Sequence, residues 1–291
     1  MRLPPLHTLK NIIFNEKACR LFLWNTGAFY QTLPCQGCGD GMAANQDRTQ
    51  FRCAKRSCET RLSIRSHTFF SGSRLNCCQI MHLGYLWLNR NSQTQAVNQT
   101  GCSAPTVTAF FSHFRTLVAT TLLEEDTKIG GQGIIVEIDE TKLGKRKYHR
   151  GHRVNGVWVI VGIEKTPERR VFMQRIEDRS ANTLECVIQE HVIEGSIVHT
   201  DLWRGYQGIE KNLGFVHRSV NHSLHLTDPI TGVNTNTVEG TNNALKIQIR
   251  PRNRTTGVDE HLSEFIWRRK NFGRLWPAFL EALRDIHYDL Q

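Results

Sequence analysis

Three acidic residues of this sequence fall where their carboxylates could meet. Asp139 comes at the end of the first predicted strand, in "IIVEIDE" (134–140), and Asp201 is the last residue of a second predicted strand, "SIVHTD" (196–201). Glu239 lies in "NTNTVEGTNNALK" (234–246), whose spacing indicates a helix. Carboxylate oxygens are the hard ligands that Mg²⁺ prefers. Two strand ends and one helix would therefore supply a carboxylate site for Mg²⁺.

Such a set of carboxylates suits a pair of Mg²⁺ ions, with Mn²⁺ as the alternative ion. Two ions can stabilise the attacking and the leaving oxygen of a phosphodiester. Lys246 follows Glu239 by seven residues, two helical turns, so both face the same way and the lysine could contact a phosphate. Taken singly, each acid could be a surface or salt-bridge residue, and Lys246 a solvated lysine.

Glu137 is an alternative to Asp139, because it lies two residues earlier on the same face of the strand. Our interpretation favours Asp139 and treats Glu137 and Glu140 as neighbours. We expect alanine at either glutamate to leave most of the activity intact.

Four cysteines form two close pairs, Cys35-x2-Cys38 and Cys53-x4-Cys58. Two thiolate pairs on two turns supply the tetrahedral ligand set of a structural Zn²⁺ site. All four positions come from protein, so this zinc would hold structure and leave none open for chemistry. Four reduced core cysteines are the alternative. An odd total of nine cysteines argues against a disulfide scaffold.

The predicted secondary structure changes at the glycine-rich linker "KIGGQG" (128–133). Before it, helices are expected at 75–90, 92–101 and 103–125, and this trio resembles a helix-turn-helix. Thr106 and Thr108 would then lie near base edges in the DNA major groove, although a plain three-helix unit is the alternative. After the linker, strands, a helix and further strand–helix alternation predict an α/β fold with a mixed sheet.

The charge pattern points to a polyanionic partner. The net charge is +10, and residues 1–130 hold 14 Lys and Arg against 7 Asp and Glu. A basic excess of this kind favours nucleic acid, with an acidic membrane surface as the other option. The segment "KLGKRKYHRGHR" would be a basic hairpin that contacts DNA phosphates, or else a solvated loop. Its basic residues are Lys142, Lys145, Arg146, Lys147, Arg150 and Arg153.

At these residues the sequence resembles the Merlin superfamily of DDE transposases and its bacterial insertion-sequence relatives. The resemblance rests on the four cysteines and on the texts "VEIDETKLGKRK", "VHTDLWRGY", "VNHS" and "NTNTVEGTNNALK". It implies an RNase H-like core with Asp139, Asp201 and Glu239 as metal ligands, and it aligns Lys246 with a lysine of those relatives. Some relatives carry Asn at the third position. His222, in "VNHS", has no assigned role.

The resemblance, together with the cysteine pairs, the helix trio and the glycine-rich linker, predicts three domains: an N-terminal helix and zinc ribbon (1–72), a helix-turn-helix (73–130) and a catalytic domain with C-terminal helices (131–291). It predicts an enzyme that binds terminal inverted repeats, cuts double-stranded DNA and joins the 3′ ends to target DNA, as a homodimer or higher oligomer. A DNA-binding regulator with an unused core, and a nuclease without strand transfer, remain alternatives.

The sequence also bears on location. It has no apolar run of 18 residues and no signal-peptide pattern at its start, so we expect neither a membrane span nor secretion. The nucleus is expected in a eukaryotic host, and otherwise the cytoplasm and nucleoid.

Overall fold

The computed structural model describes residues 3–144, 156–221, 227 and 232–286. The chain divides into two compact units. One is Met1–Thr121 together with Asn271–Gln291, and the other is Leu122–Lys270. The division differs in two ways from the expected domains, since the second unit begins at Leu122 and the last helix of the chain belongs to the first unit.

The first unit begins with two helices and a small sheet. Asn15 is extended and separates the helices, and its side chain accepts a hydrogen bond from the backbone N–H of Ala18. The four strands then pair antiparallel in chain order. The elements are α1 (Lys10–Phe14), α2 (Glu16–Asn25), β1 (Thr32–Pro34), β2 (Gly41–Ala44), β3 (Gln50–Cys53) and β4 (Arg61–Ser63).

Three mutually packed helices follow: α3 (Cys77–Leu88), α4 (Gln93–Thr100) and α5 (Ala104–Ala119). Ser92 caps α4 and Ser103 caps α5, while Gly101 takes the left-handed conformation (φ +68°) that turns the chain between them. Helix α5 ends at Ala119, six residues before the expected end. Helix α9 (Leu275–Asp285) joins this unit, and its Phe279 packs against Phe114 with ring centroids 5.4 Å apart.

The second unit is built on a five-stranded mixed sheet with strand order β11-β10-β6-β7-β8. β6, β7 and β8 pair antiparallel, whereas β10 is parallel to both β6 and β11. The strands are β6 (Ile135–Leu143), β7 (Val157–Glu164), β8 (Val171–Ile176), β10 (Ile197–Asp201) and β11 (Val216–Val220). Two short strands, β5 (Ile129–Gly130) and β9 (Val192–Ile193), pair with each other and have no counterpart in the sequence expectations.

Helices cover both faces of the large sheet. Helix α6 (Ala181–His191) packs on one face, against side chains that include Ile138 of β6. Helices α7 (Asn236–Gln248) and α8 (Asp259–Lys270) pack on the other, against Val159 and Val161 of β7. Because side chains alternate along a strand, odd-numbered residues of β6 face α7 and even-numbered ones face α6.

One expectation about the first strand is wrong. Asp139 does not end β6, which continues to Leu143 because its pairing with β7 continues from Asp139↔Val161 to Leu143↔Val157. What stops near Asp139 is the pairing on the other edge, where the last β6–β10 pair is Glu137↔His199.

Candidate functional site

Asp139 and Asp201 occupy equivalent positions on neighbouring parallel strands. Each comes two residues after the last β6–β10 pair, Glu137↔His199. A two-residue step returns a side chain to the same face, so both carboxylates lie on the α7 side. Asp201 is the last residue of β10, and its Oδ1 accepts a hydrogen bond of 2.8 Å from the backbone N–H of Trp203.

The carboxyl group of Asp139 is in an environment that opposes its charge. Burial, followed by the neighbouring charges of Glu140 and Asp201, raises the pKa of Asp139 to about 7. Two hydrogen bonds act in the opposite direction, one from the backbone N–H of Glu140 and one from Nδ2 of Asn242, which donates to Oδ2 of Asp139 at 2.8 Å. A cation bound here would relieve the repulsion between these acids.

Helix α7 brings the third acid to the same face. Glu239 lies in the first turn and Lys246 in the last turn of α7. Asn242, which reaches Asp139, stands between them at i+3 from Glu239 and i−4 from Lys246. Residues at these spacings share one helix face. The face of α7 that contacts Asp139 therefore also carries Glu239 and Lys246, both partly buried.

Asn242 is a site residue that the sequence reasoning did not single out. It is only 3% exposed, and its Oδ1 is buried without a hydrogen-bond partner among the described residues. Its position at i+3 from Glu239 was the available signal. An unused amide oxygen on a side chain that contacts the Asp139 carboxylate is a further hard donor for a divalent ion or its water.

Glu137 has a different role from Asp139, although both face α7. Its side chain is fully buried, and Oε2 accepts hydrogen bonds from the backbone N–H groups of Thr237 (2.8 Å) and Val238 (3.0 Å). These are two of the free N–H groups at the start of α7. Lys165 lies 3.3 Å away and balances the charge. Glu137 thus joins β6 to the start of the helix that carries Glu239.

Glu140 points to the opposite face of the sheet. Its Oε2 is 3.0 Å from Nη2 of Arg179, and its side chain is buried. Burial raises the pKa of Glu140, and the Arg179 charge acts against that rise. Neither glutamate next to Asp139 is therefore a simple surface neighbour.

The three acids do not form a compact cage. Among the described residues, the four cysteines are the one group of three or more possible ligands whose donor atoms all lie within 4.8 Å of one another. Asp139, Asp201 and Glu239 are spread more widely. The donor set nevertheless fits divalent ions, since it combines carboxylates, a buried amide oxygen and a carboxyl group whose pKa is raised by burial and by neighbouring negative charge.

The cysteine cluster has the geometry of a metal centre. Cys35 and Cys38 flank the turn after β1, whereas Cys53 ends β3 and Cys58 precedes β4. The Sγ atoms of Cys35 and Cys58 are 3.6 Å apart, and those of Cys38 and Cys53 are 3.4 Å apart. Four thiolates around one Zn²⁺ at about 2.3 Å would be about 3.8 Å apart. The four cysteines can therefore hold a structural zinc ion.

Two of the four cysteines, Cys35 and Cys58, have lowered pKa values, whereas the pKa values of Cys38 and Cys53 are raised. For Cys35, burial acts to raise the pKa, but the backbone N–H of Gly37 and the Thr60 hydroxyl outweigh it and lower the pKa to about 6. The thiolate is the form that binds metal. Gly37 is required by space, because a Cβ there would lie 2.7 Å from Oγ1 of Thr60 and 3.4 Å from Sγ of Cys58.

The predicted DNA-contacting residues have mixed placements. Thr106 and Thr108 both lie in the first turns of α5. The Thr106 hydroxyl is 2.8 Å from the Ser103 hydroxyl, and the exposed Thr108 donates to the Ala104 carbonyl at 2.9 Å. Lys142 is exposed at the end of β6. The other basic residues of this segment, and His222, lie outside the described residues: Lys145, Arg146, Lys147, Arg150 and Arg153.

Comparison with known families connects this site to a class of protein. Residues 129–270 match the family model of the ISXO2-like transposase domain. The match covers nearly all of the second unit, including Asp139, Asp201, Glu239 and Lys246. It supports the assignment of these residues to an insertion-sequence transposase family. No curated protein matches the chain. Within the described ranges, no helix has both the length and the apolar character needed to cross a bilayer.

Proposed function

We propose that the chain is a DNA transposase of the DDE class, with residues 131–291 as its catalytic domain. The match of residues 129–270 to the ISXO2-like transposase domain supports the class. The order β11-β10-β6-β7-β8, with three antiparallel strands followed by two parallel ones, supports an RNase H-like core. The quoted texts around the acids favour the Merlin superfamily and its bacterial relatives.

One observation carries the proposal furthest. Asp139 and Asp201 stand at equivalent positions on adjacent parallel strands, and the face of α7 that holds Glu239 contacts Asp139 through Asn242. Both aspartates lie on strands, just past the point where the β6–β10 pairing ends, and rigid elements of this kind hold catalytic groups in place.

Each residue has a part in this reaction. Asp139, Asp201 and Glu239 would hold two Mg²⁺ ions, with Mn²⁺ as a substitute. Such ions, when bound, stabilise negative charge on the attacking and leaving oxygens during hydrolysis and strand transfer. Asn242 orients Asp139 by its hydrogen bond. Lys246, two turns from Glu239 on the same helix face, would contact a phosphate of the bound strand.

The first unit would provide recognition of the element's ends. A zinc ribbon held by Cys35, Cys38, Cys53 and Cys58, followed by the α3–α5 trio, would bind the terminal inverted repeats. The basic excess of residues 1–130 suits DNA phosphates. Because two ends must be cut and joined together, the active form would be a homodimer or higher oligomer. It would act where its DNA is, in the nucleus or the nucleoid.

The test uses the full chain, Mg²⁺ and DNA that carries the two ends flanking its own coding sequence. We expect cleavage at both ends and joining of the 3′ ends to a target duplex. Cleavage without joining on a paired-end substrate would identify a nuclease instead. Specific binding of the ends with no cleavage in either Mg²⁺ or Mn²⁺ would identify a DNA-binding regulator.

A further inference from the structure

Five side chains on the second unit form a row in which cations and indoles alternate. Lys142 and Trp158 are cross-strand partners on β6 and β7, with Nζ 5.3 Å from the ring centroid. The guanidinium carbon of Arg179 lies 4.7 Å from the centroid of Trp158 and 4.1 Å from that of Trp203. Arg204 lies 5.6 Å from Trp203. We call this row the cation–indole array.

The array borders both the acidic site and a cavity. The backbone N–H of Trp203 donates to Oδ1 of Asp201, so the Trp203 backbone is a single hydrogen bond from a proposed metal ligand. Lys142 and Trp158, at the far end of the array, lie on the α6 face of the sheet. Arg179, Trp203 and Arg204 line a cavity of about 590 Å³. Cavities of about 300–1,000 Å³ are the usual size for small organic ligands, which includes a single nucleotide.

The Trp203 indole is held in place before any ligand arrives. Its Nε1 donates to the Arg179 carbonyl at 3.4 Å. Gly205 leaves space for it, since a Cβ at that position would lie 2.8 Å from Nε1. Arg179 is itself fixed by its ion pair with Glu140. The indole is thus pre-oriented at the wall of the cavity, partly buried against the core of the second unit and with Arg179 over its ring.

The acid in the cavity wall is already engaged. Oδ1 of Asp178 accepts hydrogen bonds from the backbone N–H of Ser180 and the hydroxyl of Thr183, both at 2.8 Å. Arg204, by contrast, is exposed, and its loose 5.6 Å contact with Trp203 leaves its charge available to a ligand.

We propose that the cation–indole array is a subsite for one unpaired nucleotide of the DNA strand, with its base stacked on Trp203 and its phosphate bound by Arg204. This inference rests on the proposed function, because it assumes that DNA lies at the neighbouring acids. A base inside a duplex is stacked on both faces and offers no surface to an indole. Only an unstacked base can use Trp203, and such stacking is largely independent of sequence.

If the array bound only the phosphates of duplex DNA, the same residues would contribute to binding differently. There the cations would matter and the indole would not, because phosphate contacts are electrostatic. The contribution of the Trp203 ring to single-stranded against duplex binding therefore separates the two.

The experiment measures fluorescence anisotropy with the full chain in buffer without added divalent ions. The probes are oligothymidylate of about 20 nucleotides and a mixed-sequence duplex of about the same length, a span that exceeds one single-strand binding site. Trp203→Ala should weaken oligothymidylate binding about tenfold, the equivalent of losing one stacked base. Duplex binding should change by less than about twofold. Trp203→Phe should restore most of the loss.

The matched controls address charge and folding. Arg204→Ala should weaken both probes, whereas Lys211→Ala, an exposed lysine of the same unit, should change neither. Thermal unfolding of each variant shows whether the fold is retained. If Trp203→Ala misfolds, Trp203→Phe against Trp203→Leu makes the same comparison of an aromatic with an aliphatic side chain.

Unchanged oligothymidylate binding in Trp203→Ala, or equal losses on both probes, would overturn the subsite. The result is separable from the proposed function. A chain that cleaves its ends but shows no Trp203 effect retains the function and loses the subsite. A chain with the selective Trp203 effect but no cleavage retains the subsite and loses the transposase assignment.

Discussion

The carboxylate of Glu137 on β6 accepts a hydrogen bond of 2.8 Å from the backbone N–H of Thr237, the second residue of α7. The two residues are a hundred positions apart in the chain, yet this bond sets where α7 begins. Because α7 carries Glu239 and Lys246, the position of the third acid depends on a carboxylate of the first strand.

Glu137→Ala should therefore destabilise the second unit and also slow cleavage. It leaves the helix N–H groups unpaired and removes the buried partner of Lys165, a loss of about 3 kcal/mol in the free energy of unfolding. A shift of α7 would misplace Glu239 and reduce the cleavage rate by roughly tenfold to a hundredfold. Thermal unfolding and a cleavage assay measure the two effects.

Glu137→Gln should fall between alanine and wild type, since its amide oxygen still accepts a hydrogen bond. Glu168→Ala, an exposed acid of the same unit, is the matched control and should change neither property. A Glu137→Ala chain with wild-type stability would contradict the capping role. This prediction replaces the expectation from sequence that alanine at Glu137 leaves most activity intact.

The sequence predicted much of what positions this site. One local pattern is the apolar run that ends at Asp201, and the structure has Asp201 as the last residue of β10. Another is the seven-residue spacing from Glu239 to Lys246, and both of these residues lie on α7. Local spacing also predicted the two cysteine pairs on turns, and the structure has three of the four cysteines outside the strands and Cys53 as the last residue of β3. These features depend on side chains a few positions apart, which is the range that periodicity can read.

The rest depends on pairings between distant segments. The continuation of β6 to Leu143 follows from its pairing with β7, not from its own composition. Arg179 stacks on Trp203 from the segment between β8 and α6, and Asn242 reaches Asp139 across a hundred residues. Such contacts are set by tertiary packing, which no local pattern reports.

The last helix gives a test of the division into units. Phe279 of α9 is fully buried, and a Cβ at Gly84 of α3 would lie 2.8 Å from its ring. Phe279→Ala should lower the free energy of unfolding by about 3–5 kcal/mol. Phe272→Ala, in the same segment but 87% exposed, should have little effect. Chemical denaturation monitored by circular dichroism distinguishes them, and equal effects would argue against packing of α9 in the first unit.

Removal of a cysteine ligand should act on the first unit alone. We expect about one zinc ion per purified chain. Cys53→Ser should lose that ion and lower the unfolding temperature, because it removes one of four ligands that connect β1 to β3. Cys186→Ser, an exposed cysteine on α6, is the control and should keep the ion. Elemental analysis that finds no zinc in protein prepared without chelators would refute the assignment.

Alanine at Asp139, Asp201 or Glu239, one at a time, should remove catalysis while binding of the element's ends survives. Each change removes a proposed ligand of ions that stabilise both reacting oxygens, so the rate should fall on the order of a thousandfold or more. Lys246→Ala should cost less, since it removes one phosphate contact. Glu194→Ala, an exposed acid of the same unit, is the control. A cleavage rate near that of wild type in any of the three acid variants would contradict the proposal that these acids hold the catalytic ions.

Asp139 also makes stability depend on pH. Its pKa is raised from 3.8 to about 7 by burial and by the charges of Glu140 and Asp201. Between those values the folded chain keeps a proton that the unfolded chain releases, so the free energy of unfolding falls as the pH rises. Asp139→Asn cannot ionise and can still accept the hydrogen bond from Asn242.

Without added divalent ions, the unfolding temperature of Asp139→Asn should therefore equal that of wild type near pH 4. The difference in favour of Asp139→Asn should grow up to about pH 7 and stay constant above it. Millimolar Mg²⁺ should reduce that difference in unfolding temperature, because an ion that binds the folded wild type stabilises it. Glu194→Gln, at an exposed acid of the same unit, is the control. A difference between Asp139→Asn and wild type that does not vary with pH would show that Asp139 is ionised throughout, and that the acids need no cation to coexist.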